Sequence, residues 1–343
     1  MTAPAAHSAT TGAAITEAGP FERLLALVAE DLALVNALIA ERMASEHAPR
    51  IPEISAHLIE AGGKRLRPIL TLAASRLCDY TGADHIKLAA TVEFIHTATL
   101  LHDDVVDQSA KRRGRATANI LWDNKSSVLV GDYLFARAFQ LMVETGSLEV
   151  LAILSNASAV IAEGEVLQLT TARDLTTDKA RYDQVIRGKT AALFAAATEV
   201  GGVIAGADAA RLTALRTFGD GLGMAFQLTD DLLDYGGSSA ALGKNTGDDF
   251  REGKVTLPVI LAFGRGDDEA RAFWRRTIGR GRQQPGDLEQ AMTYLRQADA
   301  LAGTRAAARG HADRALAALA GLPAGAMRKA LEDIAEFVVA RTV

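Results

Sequence analysis

The spacing of apolar residues constrains the fold more than any other feature of this chain, because it follows a helical period from Phe21 onward. Leu24, Val28, Leu32 and Val35 fall on one stripe of a helix. Glycine and proline interrupt the chain at uneven intervals, and no alternating strand pattern competes. Hydrophobic residues make up 49% of the chain but aromatic residues only 5%, and Ala and Leu dominate the apolar set, as is typical of packed helices. The sequence therefore predicts an all-α fold of about a dozen helices.

The N-terminal segment differs from the rest of the chain. Residues 1–20 are rich in Ala and Thr and precede the first basic residue, Arg23, so they lack the charges of signal and transit peptides. We expect a disordered tail over residues 1–20 and one helical domain over residues 21–343.

Charge, cysteine content and hydropathy narrow the class of protein further. The net charge of −5 argues against nucleic acid as a partner. The single cysteine, Cys78, cannot form an internal disulfide, which fits a cytoplasmic location. No stretch reaches the roughly 18 uncharged apolar residues of a membrane helix, so we expect no membrane span.

Two aspartate clusters with the same DDxxD spacing are the strongest chemical signal. Asp103, Asp104 and Asp107 form the first cluster, and Asp230, Asp231 and Asp234 form the second. In each, the first and last carboxylates share one face of a helix. One such cluster would as readily be a solvated helix face, but two that each follow an apolar helix indicate carboxylates facing a cavity. Carboxylates without His or Cys partners predict Mg²⁺, which bridges carboxylates to substrate phosphates.

Basic residues lie near both clusters and supply candidate phosphate ligands. Segment 62–68 carries cations on a glycine-containing turn just before a helix, which favours an anion. Segment 111–115 follows the first cluster, and Lys244 and Lys254 follow the second. Each basic residue alone is more simply a solvated charge, but their pairing with the acidic clusters predicts a diphosphate site.

Taken together, these motifs resemble those of the trans-isoprenyl diphosphate synthases. The likeness runs from about Leu24 to the C-terminus and is strongest in segments 62–68, 96–115, 188–190 and 226–258. It implies an all-helical bundle with a central active-site cavity, the isoprenoid synthase fold, with the two clusters on opposite helices at its mouth. It also implies a homodimer that uses Mg²⁺ to condense isopentenyl diphosphate head to tail onto an allylic diphosphate primer.

The resemblance further implies a role for each matching position. The Mg²⁺ ligands should be Asp103, Asp107 and Asp230, with Asp104, Asp231 and Asp234 in support. The allylic diphosphate should be held by Arg112, Lys189, Gln227 and Lys244, with Thr190 beside Lys189. Isopentenyl diphosphate should be held by Lys64, Arg67, His96 and Arg113, with Lys254 nearby. Asp103, Asp107, Asp230 and Lys189 are the predicted catalytic residues.

Product length is predicted from the two residues one turn before the first cluster. Short-chain members of the family resemble one another in placing Phe or Tyr at these positions, whereas this chain has Ala98 and Thr99. Small residues should leave a tunnel open toward a group of apolar side chains: Phe94, Ile95, Phe135, Phe139 and Met142. We therefore expect a long all-trans product, octaprenyl to decaprenyl, of the kind attached to quinones.

Other functions remain open at this point. A farnesyl or geranylgeranyl diphosphate synthase would share all the motifs. Terpene cyclases and squalene-type enzymes usually carry a different second motif, and non-catalytic subunits usually lose the Asp motifs. A His-Asp phosphohydrolase could use His96, His102 and Asp103, but it would leave the second cluster unexplained.

Overall fold

The structure is a computed structural model that describes residues 19–60, 63–236 and 247–341. Residues 1–18 of the expected tail and Lys244 lie outside these ranges. In order, the elements are α1 (Pro20–Leu27), α2 (Ala29–Met43), α3 (Arg50–Glu60), α4 (Leu66–Leu77), α5 (Asp84–Val106), β1 (Lys111–Arg112), β2 (Arg115–Ala116), α6 (Ala118–Leu121), α7 (Asn124–Glu144), α8 (Leu148–Thr171), α9 (Lys179–Ile186), a π-helical turn (Arg187–Ala191), α10 (Ala192–Ile204), α11 (Ala209–Gly236), α12 (Asp248–Glu252), α13 (Leu257–Arg265), α14 (Asp268–Trp274), a second π-helical turn (Arg275–Gly279), α15 (Asp287–Gln297), α16 (Ala300–Leu319) and α17 (Ala326–Ala340).

This architecture confirms the predicted all-α fold. The only strands in the described ranges are β1 and β2, which pair antiparallel as a short hairpin. The described residues contain seventeen α-helices rather than about a dozen, because short helices such as α6 and α12 form where the sequence suggests only a connection. Pro20 begins α1, where its fixed φ suits the first helical position.

The main core lies between α5, which is buried along most of its length, and the helices around it. Helix α5 packs against α2, α4, α7 and α10, and α11 packs against α10 and α16. A second, smaller core surrounds Trp274, between α13, α14 and α15. Each DDxxD cluster lies at or near the C-terminal end of a core helix, the first on α5 and the second on α11.

Glycines on α11 allow it to approach α10 and the first π-helical turn closely. A Cβ atom on Gly219 would lie 2.5 Å from the carbonyl oxygen of Phe194, and one on Gly223 would lie 2.6 Å from Cα of Ala191. Any larger residue would therefore separate the two backbones. This close contact places the π-helical turn, which carries Lys189 and Thr190, directly beside the helix of the second cluster.

Helix α8 has an unusual apolar surface. By length and composition alone it could cross a membrane, with a mean hydropathy of 1.5, yet only 28% of that stretch is buried in the fold. The sequence suggested no such stretch, because charged residues such as Glu149 and Glu163 interrupt the apolar run. A single helix of this kind is weak support for a membrane span.

Candidate active site

The first aspartate cluster lies on the last turns of α5 and faces the interior. Asp103 keeps 13% of its side-chain surface exposed, and Asp104 is fully buried. Arg112, on the β1–β2 hairpin, donates to Oδ1 of Asp104 from Nε at 2.9 Å, and its Nη2 lies 2.8 Å from the same oxygen. The second oxygen of Asp104 is buried and has no hydrogen-bond partner in the described part of the chain. The hairpin thus holds Arg112 against the cluster.

Lys189 brings a positive charge to this cluster from the π-helical turn. Its Nζ donates to Glu165 of α8 at 2.9 Å and lies 3.8 Å from Oδ2 of Asp103. The approach depends on two glycines, since a Cβ atom on Gly188 would lie 2.9 Å from Cα of Gly164. Burial raises the pKa of Asp103 to about 6, although Lys189 opposes the shift. Burial therefore disfavours the ionised form of Asp103, and a bound cation would favour it.

The second cluster contains three carboxylates in three different environments. Asp230 is the most open, with 38% of its side chain exposed, and Nη2 of Arg341 lies 3.4 Å from its Oδ1. Arg341 also stacks over the ring of Phe226, 5.0 Å from its centroid. A residue at the end of α17 therefore reaches the mouth of the site.

Asp231 is buried and fully hydrogen-bonded. The hydroxyl of Tyr182 donates to its Oδ2 at 2.5 Å, and Nε2 of Gln227 donates to its Oδ1 at 2.7 Å. The hydroxyl of Thr190 donates to Oε1 of Gln227 at 2.7 Å. Burial raises the pKa of Asp231 to about 6, against these hydrogen bonds. The predicted allylic-site residues Thr190 and Gln227 are thus linked directly to the second cluster.

Asp234 has a structural role that its spacing does not reveal. Its carboxylate oxygens accept hydrogen bonds from the backbone N–H groups of Asp248 at 3.1 Å and Asp249 at 3.0 Å. These are the first N–H groups of α12, so Asp234 caps that helix across a gap in sequence. This contact fixes the carboxylate of Asp234 against α12, and its supporting role at the metal stays a prediction.

Lys254 lies beside the carboxylates that surround the second cluster. Its Nζ is 2.5 Å from Glu252 and 4.0 Å from Asp249. Although burial opposes its charge, Asp249, Glu252 and then Asp107 raise its pKa above the ordinary range. Because Asp107 belongs to the first cluster, Lys254 lies within electrostatic reach of both.

Arg67 and His96 meet in a separate basic pocket. Nη1 of Arg67 donates to Nε2 of His96 at 3.2 Å, and the guanidinium lies 4.5 Å from the centroid of the Phe194 ring. Burial lowers the pKa of Arg67 to about 10, against the attraction of Glu93 and Asp230. Burial and the neighbouring arginines hold the pKa of His96 well below its ordinary value, so His96 is neutral.

One residue of this pocket, Glu93, was missed by sequence reasoning, whereas Arg65 belongs to the basic segment 62–68. Arg65 donates to Glu93 at 3.0 Å, and both line a small cavity with Gly63, His96 and Arg113. Burial raises the pKa of Glu93, and this upward shift is opposed by the positive charges of Arg65, Arg67 and Arg113. Glu93 lies three residues before His96 on α5, and this spacing is the one signal that could have identified it.

Lys64 lies between aromatic rings of two helices at opposite ends of the chain. Its Nζ lies 5.6 Å from the ring centroid of Phe21 on α1 and 5.3 Å from that of Phe337 on α17. A cation between two rings is held by their π faces. Helices α1 and α17 therefore both contact Lys64, a residue predicted to bind substrate.

The residues predicted for product length do not share one helix face. At about 100° per residue, Thr99 lies within about 40° of Asp103, whereas Ala98 lies about 140° away. Thr99 is half-buried, and Ala98 is fully buried on the side of His102, which contacts Gly131 and Phe135 of α7. Their joint role in product length stays a prediction. Phe139, expected to line the tunnel, is 42% exposed.

The donor set is compatible with a hard divalent cation. Within residues 19–60, 63–236 and 247–341, no three His, Cys, Asp or Glu side chains form a metal site by themselves. The candidate ligands are carboxylate oxygens, and one oxygen of Asp104 is buried without a partner. Asp103, Asp107 and Asp230 could hold Mg²⁺ together with phosphate oxygens and water, which is the coordination Mg²⁺ prefers.

Comparison with known proteins identifies the family of this chain. The sequence model of the polyprenyl synthetase family matches residues 48–295. The chain belongs to that family. It is 45% identical to octaprenyl diphosphate synthase of Escherichia coli over 322 residues, covering 93% of this chain and 98% of the relative. The predicted family and prenyltransferase activity are confirmed.

Solved structures agree with this membership. A decaprenyl diphosphate synthase from Rhodobacter capsulatus is 65% identical with a TM-score of 0.92, covering 94% of this chain and 100% of that one. A polyprenyl synthase from Caulobacter crescentus, complexed with calcium and isoprenyl diphosphate, is 54% identical with a TM-score of 0.91, covering 95% and 99%. The alternative of a His-Asp phosphohydrolase finds no support, because His96 contacts Arg67 whereas His102 contacts the carbonyl oxygen of Val128.

Proposed function

We propose that the chain is a Mg²⁺-dependent, long-chain all-trans polyprenyl diphosphate synthase, making an octaprenyl to decaprenyl product for quinone side chains in the cytoplasm. One observation carries the active-site assignment. The consecutive residues Lys189 and Thr190 reach the first and second clusters respectively, through Asp103 and through Gln227. A diphosphate bound at this turn would lie between two sets of carboxylates. The long-chain products named for the relatives support the length.

The chemistry follows from the charges of these residues. Mg²⁺, when bound, would neutralise the leaving diphosphate and favour ionisation of the allylic C–O bond. Lys189 and Arg112 would hold that diphosphate, whereas Arg67 and Arg113 would hold isopentenyl diphosphate. The double bond of isopentenyl diphosphate would then attack the allylic cation, and transfer of a proton to the released diphosphate would leave a product one isoprene unit longer. The reaction needs no nucleophilic side chain.

Product analysis tests this function directly. Purified protein is incubated with isopentenyl diphosphate and farnesyl diphosphate, with Mg²⁺ or with EDTA, and the products are measured by mass. We expect octaprenyl to decaprenyl diphosphate with Mg²⁺ and no elongation with EDTA. Accumulation of geranylgeranyl diphosphate alone would contradict the long-chain assignment, and hydrolysis of the primer alone would contradict the whole function.

We also propose a homodimer formed by the α7–α8 hairpin. Large apolar side chains are exposed on both helices, from Leu129 at 66% and Val143 at 64% on α7 to Leu148 at 82% and Leu169 at 59% on α8. Apolar surface of this extent is rare on a monomer. A second copy would cover it and would also close the exposed side of Phe139. The resemblance to the synthase family supports the same assembly.

Charge substitution on this face should separate the subunits. We expect Leu129→Glu combined with Leu169→Glu to convert a dimer to a monomer in sedimentation velocity, because each carboxylate would be buried without a partner. Leu34→Glu on α2 is the matched control, since Leu34 is 57% exposed on a different helix. A monomeric parent protein, or a double variant that stays dimeric, would contradict the assignment. Binding of the parent to lipid vesicles would instead favour a membrane surface.

A further inference from the structure

A tyrosine outside every predicted motif contacts the centre of the second cluster. Tyr182 lies on α9 and is 3% exposed. Its hydroxyl donates to Oδ2 of Asp231 at 2.5 Å, and both groups are buried. The other oxygen of Asp231 accepts from Gln227 at 2.7 Å. Asp231 therefore receives one neutral donor on each of its two oxygens.

Tyr182 and Thr190, which donate to Asp231 and Gln227 respectively, lie on one continuous helical segment. Tyr182 lies on α9, and Thr190, which donates to Gln227, lies on the π-helical turn that continues α9. Gln227 and Asp231 are four residues apart on α11, so they lie on one face of that helix. This helical segment therefore contacts α11 through two hydrogen bonds, one from Tyr182 to Asp231 and one from Thr190 to Gln227. Lys189, which contacts the first cluster, lies between Tyr182 and Thr190 in the sequence.

The carboxylates around Asp231 make its donors important. Asp230 is its chain neighbour, and Asp249 acts on Asp231 as a further negative charge. A buried carboxylate that loses a hydrogen-bond donor is left with an unsatisfied oxygen, which costs more than an average hydrogen bond contributes. Without Tyr182, one oxygen of Asp231 would lose its donor and the carboxylate would be free to rotate, so the bond from Thr190 to Gln227 would be the remaining hydrogen bond to α11.

We propose that Tyr182 is a positioning residue that holds the Asp231 carboxylate in a fixed orientation, and so sets the affinity of the second cluster for a divalent cation and diphosphate. This inference rests on the proposed function, because it assumes a Mg²⁺-diphosphate site between the clusters. Tyr182 itself touches neither substrate nor metal in this arrangement. Its effect is transmitted through Asp231 and through the alignment of α9 with α11.

The test uses binding without turnover. Calorimetry measures the affinity of the full chain and of Tyr182→Phe for inorganic diphosphate in the presence of Mg²⁺. We expect about tenfold weaker binding in the variant, the loss typical of one hydrogen bond to a charged group. In steady-state kinetics the variant should need more Mg²⁺ for half-maximal rate, with the KM for isopentenyl diphosphate unchanged. Tyr294→Phe is the matched control, because Tyr294 donates to Glu269 at 3.3 Å in the second core.

A double-mutant cycle shows whether Tyr182 acts through Asp231. In an Asp231→Asn background, Tyr182→Phe should cause little further loss, because the group it positions has been removed. If Tyr182→Phe does not fold, as judged by circular dichroism, Thr190→Val tests the second hydrogen bond, from Thr190 to Gln227. This variant should weaken diphosphate binding several-fold. Equal diphosphate affinity in the parent and Tyr182→Phe would overturn the positioning role alone. Failure of the parent to bind Mg²⁺ and diphosphate would overturn the proposed function as well.

Discussion

Asp103→Asn is expected to lower kcat/KM at least about a thousandfold while making the metal-free protein more stable at pH 7. The loss of activity follows from removing a carboxylate that should bind Mg²⁺ beside the leaving diphosphate. The gain in stability follows from burial, which raises the pKa of Asp103 to about 6 from an ordinary value of 3.8. Folding therefore disfavours the ionised carboxylate, and a neutral amide avoids that cost.

The stability gain of Asp103→Asn should depend on pH. Because the folded pKa is higher than the unfolded one, the parent loses stability as pH rises from about 4 through about 6. Asn at position 103 does not titrate, so the stability difference should be small near pH 4 and largest above pH 6. We expect about 1–2 kcal/mol at pH 7, less than the full shift implies, because Lys189 loses a charged partner.

Unfolding by urea in EDTA, at pH 7 and near pH 4.5, measures the stability, and elongation of a labelled primer measures the activity. Asp208→Asn is the matched control, since the side chain of Asp208 is 64% exposed and Asn can accept the same capping hydrogen bond from the backbone N–H of Arg211. It should leave the activity unchanged and alter the stability by no more than a few tenths of a kcal/mol. Adding Mg²⁺ with diphosphate should stabilise the parent and have little effect on Asp103→Asn. A variant that retains a tenth of the parent activity, or that is less stable at pH 7, would contradict the assignment of Asp103.

Ala98→Phe should shorten the product from octaprenyl or decaprenyl to farnesyl or geranylgeranyl length without abolishing catalysis. Ala98 is fully buried on the side of α5 that packs against α7, so an aromatic ring there must project between these helices. A growing chain that runs between α5 and α7 would meet that ring, whereas both aspartate clusters would be unchanged. The added volume should also cost about 1–3 kcal/mol of stability.

Comparison of three variants identifies the wall along which the product runs. Ala98→Ser is the matched control and should give the parent product, because it adds little volume. Thr99→Phe places the ring on the helix face of Asp103 instead. Shortening by Thr99→Phe with no change in Ala98→Phe would refute the expected route between α5 and α7. Mass analysis of the extracted products, with the thermal midpoint of each variant, distinguishes these outcomes.

Several conclusions were available from the sequence because they depend on local spacing. Helical periodicity and the Ala- and Leu-rich composition predicted the all-α fold, which the structure confirms. The repeated DDxxD pattern and the basic segments, taken in order, predicted the family and the prenyltransferase activity. Side chains such as Asp103 and Asp107 share a helix face wherever that helix lies, so their grouping could be inferred without tertiary structure.

Contacts between helices were decided by the tertiary structure alone. The capping of α12 by Asp234, the approach of Lys189 to Asp103, and the bond from Tyr182 to Asp231 each join residues on different elements of the fold. The same holds for Ala98, whose neighbours depend on how α5 is rotated against α7. Periodicity shows which residues lie on one face of a helix, but the packing of the whole core sets what that face meets.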